Sequence, residues 1–360
     1  MIRVLHIVTI MNRGGLETFI MNVYRKIDRS RIQFDFLVHR DEEGAYDKEI
    51  FSLGGRIFHV RAFNPINLKY YIQLYHVLKA LRNEVSVIHS HLDTTSAIPL
   101  FLAKCAGYDR RVAHSHNSSV DRDWKYFIRL LLAYPIRFLA TDRFSCGIDA
   151  GKFIFGRKSK FQVINNGIDV KEFAFNEDIR QAVRKELGIT NQKVVIHVGR
   201  FYPVKNQEFI VKQLCENASY SEKVIFVLVG DGPDRKRIEK YCRERKLMEK
   251  VKFLGVRNDI SRLLQGADVF VFPSLFEGLG IAVIEGQASG LPCLVSDTMP
   301  KECVVTDLVK VLPLLDTNAW INNIESAKNN NRDGYNKIIK KNGFDIKETT
   351  FFLQEFYLHK

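Results

Sequence analysis

Twelve short runs rich in Val, Ile, Leu and Phe punctuate this chain, and their spacing constrains the fold more than any other feature. They fall near 2–9, 32–38, 56–60, 85–89, 110–114, 142–146 and 161–164, then near 193–198, 224–229, 251–254, 268–272 and 292–295. Mostly about 10–20 residues separate neighbours, with apolar residues at helical spacing where the stretch is long enough. Strand and helix in alternation is the pattern of a parallel α/β sheet with right-handed crossovers. Twelve strands are too many for one comfortable doubly wound sheet, so 360 residues divide into two domains.

The break is expected at Asn165-Asn166-Gly167-Ile168-Asp169, where Asn-Gly signals a turn and a polar stretch runs on to Arg180. That gives domains of 1–168 and 169–342. The aromatic-rich segment 343–360 has no strand after it and reads as a terminal helix packing back across the domains. Met1 to Val8 reads as a first strand, without the charged start and cleavage site of a signal peptide. No run approaches the roughly eighteen apolar residues of a membrane span. Six scattered cysteines with no C-x-x-C pair read as buried free thiols. A cytoplasmic protein is the expectation.

The net charge of +13 is unevenly placed. Residues 1–170 hold 25 Lys and Arg against 16 Asp and Glu. An anionic partner suits such a half: a phosphorylated substrate, an anionic membrane surface or nucleic acid. A solvated basic surface is the plain alternative. Nucleic acid is set aside because no module of interleaved aromatic and basic residues is recognisable.

Several strands run into loops suited to a nucleoside diphosphate. The first strand leads to Arg13-Gly14-Gly15 before a helix, where backbone amides can approach a phosphate. It is not G-x-G-x-x-G, which argues against a nicotinamide-dependent oxidoreductase. In the second half Gly199-Arg200 ends a strand and Lys205 opens the next helix. Two cations at a strand's carboxyl end suit a pyrophosphate. Gly230-Asp231-Gly232 ends another strand, either for close backbone approach or as a tight turn.

Two His-x-His pairs, His89-Ser90-His91 and His114-Ser115-His116, each follow a strand. Zinc would need a third or fourth ligand, and no cysteine or carboxylate cluster offers one nearby. Hydrogen-bonding histidines at strand ends are the better reading. Asp121-Arg122-Asp123 has the Asp-x-Asp form of metal-dependent sugar transferases but reads as capping charge at a helix start. The segment 121–138 mixes bulky apolar residues with cations, as a core helix with a basic outer face or a helix at a membrane interface would. In Phe276-Glu277-Gly278-Leu279-Gly280 leading to Glu285, two carboxylates lie eight positions apart across a glycine-rich turn. Glu277 is placed in the loop after a strand, where open α/β sheets bind ligands, and Glu285 about one turn into a helix.

Together and in this order, these loops resemble the family-four retaining glycosyltransferases of the GT-B fold, including those of bacterial capsule and exopolysaccharide synthesis. The resemblance spans nearly the whole chain, and the E-x7-E element is its most specific part. It implies two Rossmann-like doubly wound domains facing a central cleft, an N-terminal acceptor domain and a C-terminal nucleotide-sugar donor domain. Glu285 would then accept hydrogen bonds from the ribose. Arg200 and Lys205 would neutralise the diphosphate, with amides near Leu279, Gly280 and Ile281. Arg257 and Asn258 would lie beside the base, and Gly14 and Gly15 would supply further amides. Glu277 would contact the donor sugar, and His116 the sugar near its reacting carbon. The resemblance further implies retention of configuration, no metal or other cofactor, a nucleotide-sugar donor (a UDP-sugar is expected), and a glycan or polyprenyl-diphosphate-linked acceptor. A GT-B sugar epimerase and a non-catalytic subunit supporting a partner transferase are the alternatives.

Overall fold

The computed structural model of the protein describes residues 1–117, 131–220, 223–328 and 331–359. The chain forms two units, Met1–Gly167 with Ile346–Lys360, and Ile168–Asp345. Asp121, Asp123 and most of the segment 121–138 lie outside the described residues.

The first unit carries β1 (Ile2–Val8), β2 (Ile32–Val38), β3 (Ile57–His59), β4 (Val87–Ser90), β5 (Arg111–Ser115), β6 (Asp142–Ser145) and β7 (Gln162–Val163). They form one parallel sheet in the order β3-β2-β1-β4-β5-β6-β7. Successive strand residues point to opposite faces. Val4 and Val8 therefore join Phe34, Phe36, Val87 and Val112 in one apolar layer. Leu5 and Ile7 join Leu37, Ile88 and Ala113 in the other. The helix Gly15–Lys26 closes the first layer with Phe19, Ile20 and Val23. Helices Leu68–Ala80 and Ala97–Cys105 close the second with Tyr70, Leu74, Leu78 and Leu100.

The terminal helix Ile346–His359 also belongs to the first layer, through Ile346, Leu353 and Tyr357. Its last turn is held by Arg110, which donates to the carbonyls of Phe356 and Tyr357 at 2.8 and 2.9 Å. Those carbonyls lack helical partners, and a cation complements the negative end of the helix. On β2, fully buried Asp35 takes hydrogen bonds from Arg3 and Arg56. Burial would push its carboxyl up, but the two guanidiniums outweigh it and leave it low.

The second unit repeats the plan with β8 (Lys193–Val198), β9 (Val224–Val229), β10 (Val251–Gly255), β11 (Val269–Phe272), β12 (Cys293–Ser296) and β13 (Val309–Leu312). The order is β10-β9-β8-β11-β12-β13, again parallel. Val194 and Ile196 face one apolar layer, and Val195 faces the other. Asp268 enters β11 buried, bound to Arg180 and Arg184 and accepting from the Val194 amide at 2.7 Å.

The sequence reading missed β13. Val309–Leu312 is a short edge strand whose residues are all partly exposed, so it lacks the solid apolar run of a strand buried on both faces. The other twelve strands fall where the apolar runs place them. The six cysteines are free, with Cys105 exposed and the rest buried. Among the described residues no helix is long and apolar enough to cross a membrane.

The Tyr357 hydroxyl hydrogen-bonds His89 Nδ1 at 2.7 Å inside this layer. Tyr357→Phe leaves that nitrogen unpartnered in the core, and its expected cost is about 1–3 kcal/mol of unfolding free energy in a denaturant titration. An unchanged midpoint and slope would show the bond to be energetically idle.

Candidate functional site

In each sheet the strand order reverses once, between β1 and β4 in the first unit and between β8 and β11 in the second. Loops leaving the carboxyl ends of such strands diverge, and the crevice they open is where doubly wound sheets take ligands.

In the second unit β8 ends at Val198, and Gly199 and exposed Arg200 follow. This turn is held from beneath. His197 is fully buried, its Nδ1 3.0 Å from the Val271 carbonyl and its Nε2 3.2 Å from the Gln207 amide nitrogen. Nδ1 therefore carries the proton and Nε2 accepts. Burial, the main cause, holds His197 down to about 4, so it stays neutral. Gln207 also donates to the Arg200 carbonyl at 2.9 Å. The loop after β9 packs against the same turn backbone to backbone. Phe201 N donates to Asp231 O at 2.9 Å, and Gly230 and Gly232 sit at φ of 134° and 156°. A Cβ on Gly230 would stand 2.1 Å from the Gly199 carbonyl oxygen, and one on Gly232 2.3 Å from that of Phe201. Of the two readings open for Gly230-Asp231-Gly232, close backbone approach is the one realised, and what approaches is the loop that carries Arg200.

Lys205 closes the one-turn helix Pro203–Lys205, and Asn206 follows in the left-handed region at φ 54°. Asn206 donates to the Pro273 carbonyl at 3.1 Å and Leu275 N donates to Val204 O at 2.8 Å, which stitches this turn to the loop after β11. The stitching brings Lys205 Nζ to 2.5 Å from Glu277 Oε1. The two residues read from sequence as phosphate and sugar ligands thus pair with each other.

After Glu277 the chain reaches Gly280 at φ 80°, which opens the helix Ile281–Ala288. Its first amides have no helical acceptors and suit an anion. Leu279 is buried in the core. Glu285 lies one turn in and is largely buried. No hydrogen bond or ion pair to its carboxylate is found among the described residues, and burial alone pushes it up to about 7. Arg257 is bound to Asp259 at 2.7 Å and Glu186 at 2.9 Å, beside exposed Asn258 in the loop after β10.

In the first unit Gly14 and Gly15 are exposed at the start of the helix Gly15–Lys26. The two His-x-His pairs have the strand period of two, so all four rings share one sheet face. His6 on β1 is paired in register with His89 and joins them there. The third histidine that the sequence reading lacked thus arrives from β1. His6, His89 and His91, and His91, His114 and His116, each bring ring nitrogens within 4.8 Å of one another. Burial holds His116 down to about 3, so this ring is a neutral hydrogen-bonding group. Its backbone is gripped by Asp93, whose carboxylate accepts from His116 N at 2.7 Å and Asn117 Nδ2 at 2.6 Å. Asp93 itself sits at φ 45°. Asp93, His197 and Gln207 were not found by sequence reasoning. None belongs to a spaced motif: Asp93 and His197 find their partners 23 and 74 residues away, and Gln207 acts through the buried His197.

Comparison with known proteins covers both units. The family described as Glycosyltransferase Family 4 matches residues 13–172, and that described as Glycosyl transferases group 1 matches residues 179–344. The chain is 40% identical over 315 residues to the glycosyltransferase EpsF of Bacillus subtilis, covering 83% of this chain and 80% of that one. It is 30% identical over 312 residues to an Escherichia coli UDP-Gal:alpha-D-GlcNAc-diphosphoundecaprenol alpha-1,3-galactosyltransferase, covering 81% and 79%. The crystal structure of Anabaena HepE in complex with UDP and glucose superposes with a TM-score of 0.80 over 100% of both chains at 18% identity, a likeness of fold.

Gly230→Ala tests the support under Arg200. The strained φ and the clash with Gly199 are expected to cost about 1–3 kcal/mol of stability. Transfer activity should fall further than the loss of folded protein explains, because the turn moves Arg200. Activity that simply tracks the folded fraction would separate the two loops functionally.

Proposed function

The chain belongs to the family-four glycosyltransferases, and from that premise we propose that it moves a sugar, with retention of configuration, from a UDP-sugar to a glycan or polyprenyl-diphosphate-linked acceptor in cell-surface polysaccharide synthesis. The observation that carries this reading is the loop cluster of the second unit, where Arg200, Lys205, Glu277 and the amino end of the helix Ile281–Ala288 follow β8 and β11. A leaving nucleoside diphosphate gathers negative charge, and fixed cations and backbone amides lower the barrier where that charge develops. On this reading Arg200 and Lys205 do the work a metal ion would do, and no metal takes part.

The Lys205–Glu277 pair is then a contact that the donor exchanges for its own. A diphosphate takes over the ammonium, and Glu277 is freed to accept from hydroxyls of the sugar. Glu285 receives the ribose hydroxyls, and the base lies beside Arg257 and Asn258. Within the first unit, Gly14 and Gly15 are amides suited to phosphate and His116 a neutral ring suited to a sugar hydroxyl. The UDP-sugar and the lipid-diphosphate acceptor are chosen because the galactosyltransferase named above carries both in its name and HepE was crystallised with UDP.

A panel of UDP-, GDP- and ADP-sugars in a thermal-shift assay tests the donor. Only UDP-sugars should stabilise the protein, by about 2.7 kcal/mol at a hundredfold excess over Kd. No response to any of them overturns the donor reading. The Glu285 carboxyl adds a pH signature. Raised to about 7, it is mostly neutral below that pH and ionised above it. Folding stability attributable to this group is therefore full below its unfolded value near 4.5 and falls as pH rises towards 7. Ribose hydroxyls are expected to select the carboxylate, so donor affinity should rise about tenfold from pH 6 to pH 8. In Glu285→Gln that slope should vanish, and a slope that survives the substitution removes Glu285 from the ribose.

The proposal extends to the cytoplasmic face of a membrane. Leu131, Tyr134 and Phe138 are 74%, 60% and 68% exposed, and Arg137 lies 3.7 Å over the Tyr134 ring. Apolar side chains beside cations suit an anionic bilayer that carries such an acceptor. Flotation with vesicles containing anionic lipid at low salt should carry the protein upward, and protein left at the bottom of the gradient counts against membrane contact.

A further inference from the structure

The five histidines on one face of the first sheet contain a continuous hydrogen-bonded chain. His6 Nδ1 is 2.9 Å from His91 Nε2, and His91 Nδ1 is 2.9 Å from His116 Nε2. We propose that His6 and His91 are positioning residues that fix His116 as the tautomer with its proton on Nδ1, a hydrogen-bond donor. Its bearing on turnover rests on the role of His116 proposed above, whereas the tautomer itself does not.

All three rings are neutral, because burial holds His6 and His116 down to about 3 and His91 well below its ordinary value. A neutral imidazole has one N–H and one bare nitrogen. Each of the two contacts needs one proton between its nitrogens, so the three rings must agree. In one arrangement every ring is protonated on Nδ1, with His6 donating to His91 and His91 to His116. In the other every ring is protonated on Nε2, and both bonds reverse. A mixed arrangement sets two protons or two lone pairs against each other.

The ends of the chain decide between the two. His6 Nε2 and His116 Nδ1 are buried and have no partner among the described residues. The first arrangement leaves its spare N–H on His116, the second on His6. His6 lies within β1, 2% exposed, its ring centroid 4.2 Å from that of Phe34 and 5.7 Å from that of Phe36. A buried N–H without an acceptor is costly, and nothing can enter there to supply one. His116 lies just past the carboxyl end of β5, at the edge of the sheet where ligands are taken. Its Nδ1 is itself buried, but it lies beyond the last residue of the strand, and an acceptor arriving at that edge would supply what its N–H lacks. The proton on Nδ1 is the arrangement that puts the spare donor at the carboxyl edge of the sheet rather than beside Phe34 and Phe36 within it.

The flanking rings preserve this state. His89 stacks on His91 at 4.3 Å and 21°, and His114 on His116 at 4.2 Å and 30°. Charging any one ring would set it against neutral, buried neighbours. In the group His6, His89 and His91 the stacking also disfavours a metal cage. Imidazole lone pairs lie in the ring plane, so stacked rings aim them side by side rather than at a common point about 2 Å away. His91, shared by both three-histidine groups, already spends both nitrogens on hydrogen bonds.

The test is the two-bond proton–nitrogen correlation spectrum of the imidazoles in the full chain labelled with 15N-histidine, without substrate. His6, His91 and His116 are each expected as Nδ1–H. His91→Phe removes the donor to His116 and should shift that ring towards Nε2–H, with kcat down about tenfold and donor KM changed less than about twofold. His91→Asn, whose amide N–H falls near the lost Nδ1–H, should keep the His116 tautomer and most of kcat. His116 protonated on Nε2 in the unaltered protein overturns the proposal, as does a His116 tautomer indifferent to His91→Phe. Stoichiometric zinc in the purified protein that is lost in His114→Ala also overturns it. Should the variants not fold, the spectrum of the unaltered protein decides alone. A shifted tautomer with unchanged kcat would sustain the chain of rings and defeat the sugar role given to His116.

Discussion

Everything chemical in this protein depends on one topological constraint, the reversal of strand order at the middle of a parallel sheet. A parallel strand must hand its chain to a crossover, and all crossovers from one side of the reversal turn away from those on the other. At β1/β4 and again at β8/β11 the loops therefore part, and backbone amides and side chains are left facing solvent at the carboxyl edge. A loop so placed gains little from the core and must be fixed by other means. In the second unit those means are visible. Glycines let the loops after β8 and β9 touch backbone to backbone, Gln207 bridges His197 to Arg200, and Asn206 ties Lys205 to the loop of Glu277.

Charge is organised by the same edge. Deep in each unit a carboxylate is held by two guanidiniums, Asp35 by Arg3 and Arg56, and Asp268 by Arg180 and Arg184. Such pairs satisfy each other and have nothing left for a ligand. At the carboxyl edge the balance is looser. Among the described residues Lys205 has one carboxylate partner, Arg200 is exposed over the Tyr202 ring at 5.8 Å, and Glu285 has no partner and is reluctant to ionise. Glu277 is held by the single ammonium of Lys205, whereas Asp268 is held by two guanidiniums, so an incoming anion has fewer contacts to replace at Lys205. It could not compete for Arg180 at comparable cost.

How much of this was legible depended on whether the signal was local. Strands buried on both faces announce themselves as solid apolar runs, so twelve of them could be placed from sequence, while edge strand β13, half in solvent, could not. That Gly199-Arg200, Lys205 and Glu277 follow strand ends and Glu285 lies in a helix was legible because strand, glycine turn and helix signals sit within a few residues of them. Asp93, Gln207 and His197 were not, since Asp93 and His197 find their partners 23 and 74 residues away in the chain and Gln207 acts through the buried His197. The histidines fall between these cases. Two His-x-His pairs can be seen by eye, and their period of two places them on one face. That His6 completes the group follows only from the register of β1 against β4.

That register explains why the first unit tolerates so many buried polar rings. Parallel strands place Val4, His6 and Val8 against Val87, His89 and His91, so histidines replace valines in two adjacent rows without breaking the apolar layer. One isolated buried imidazole would leave both its nitrogens wanting. In the row His6–His91–His116 the rings share protons and each added ring satisfies one nitrogen of the ring before it, whereas His114 has neither nitrogen partnered among the described residues. The shortage is not abolished; it moves to the ends of the row. With Phe34 and Phe36 closing one end, the other end, at the carboxyl edge of β5, is where the unmet hydrogen bond must be. A buried donor left unmet at the mouth of such a row is costly by itself and favourable once something polar arrives, which is the energetic profile required of a binding group.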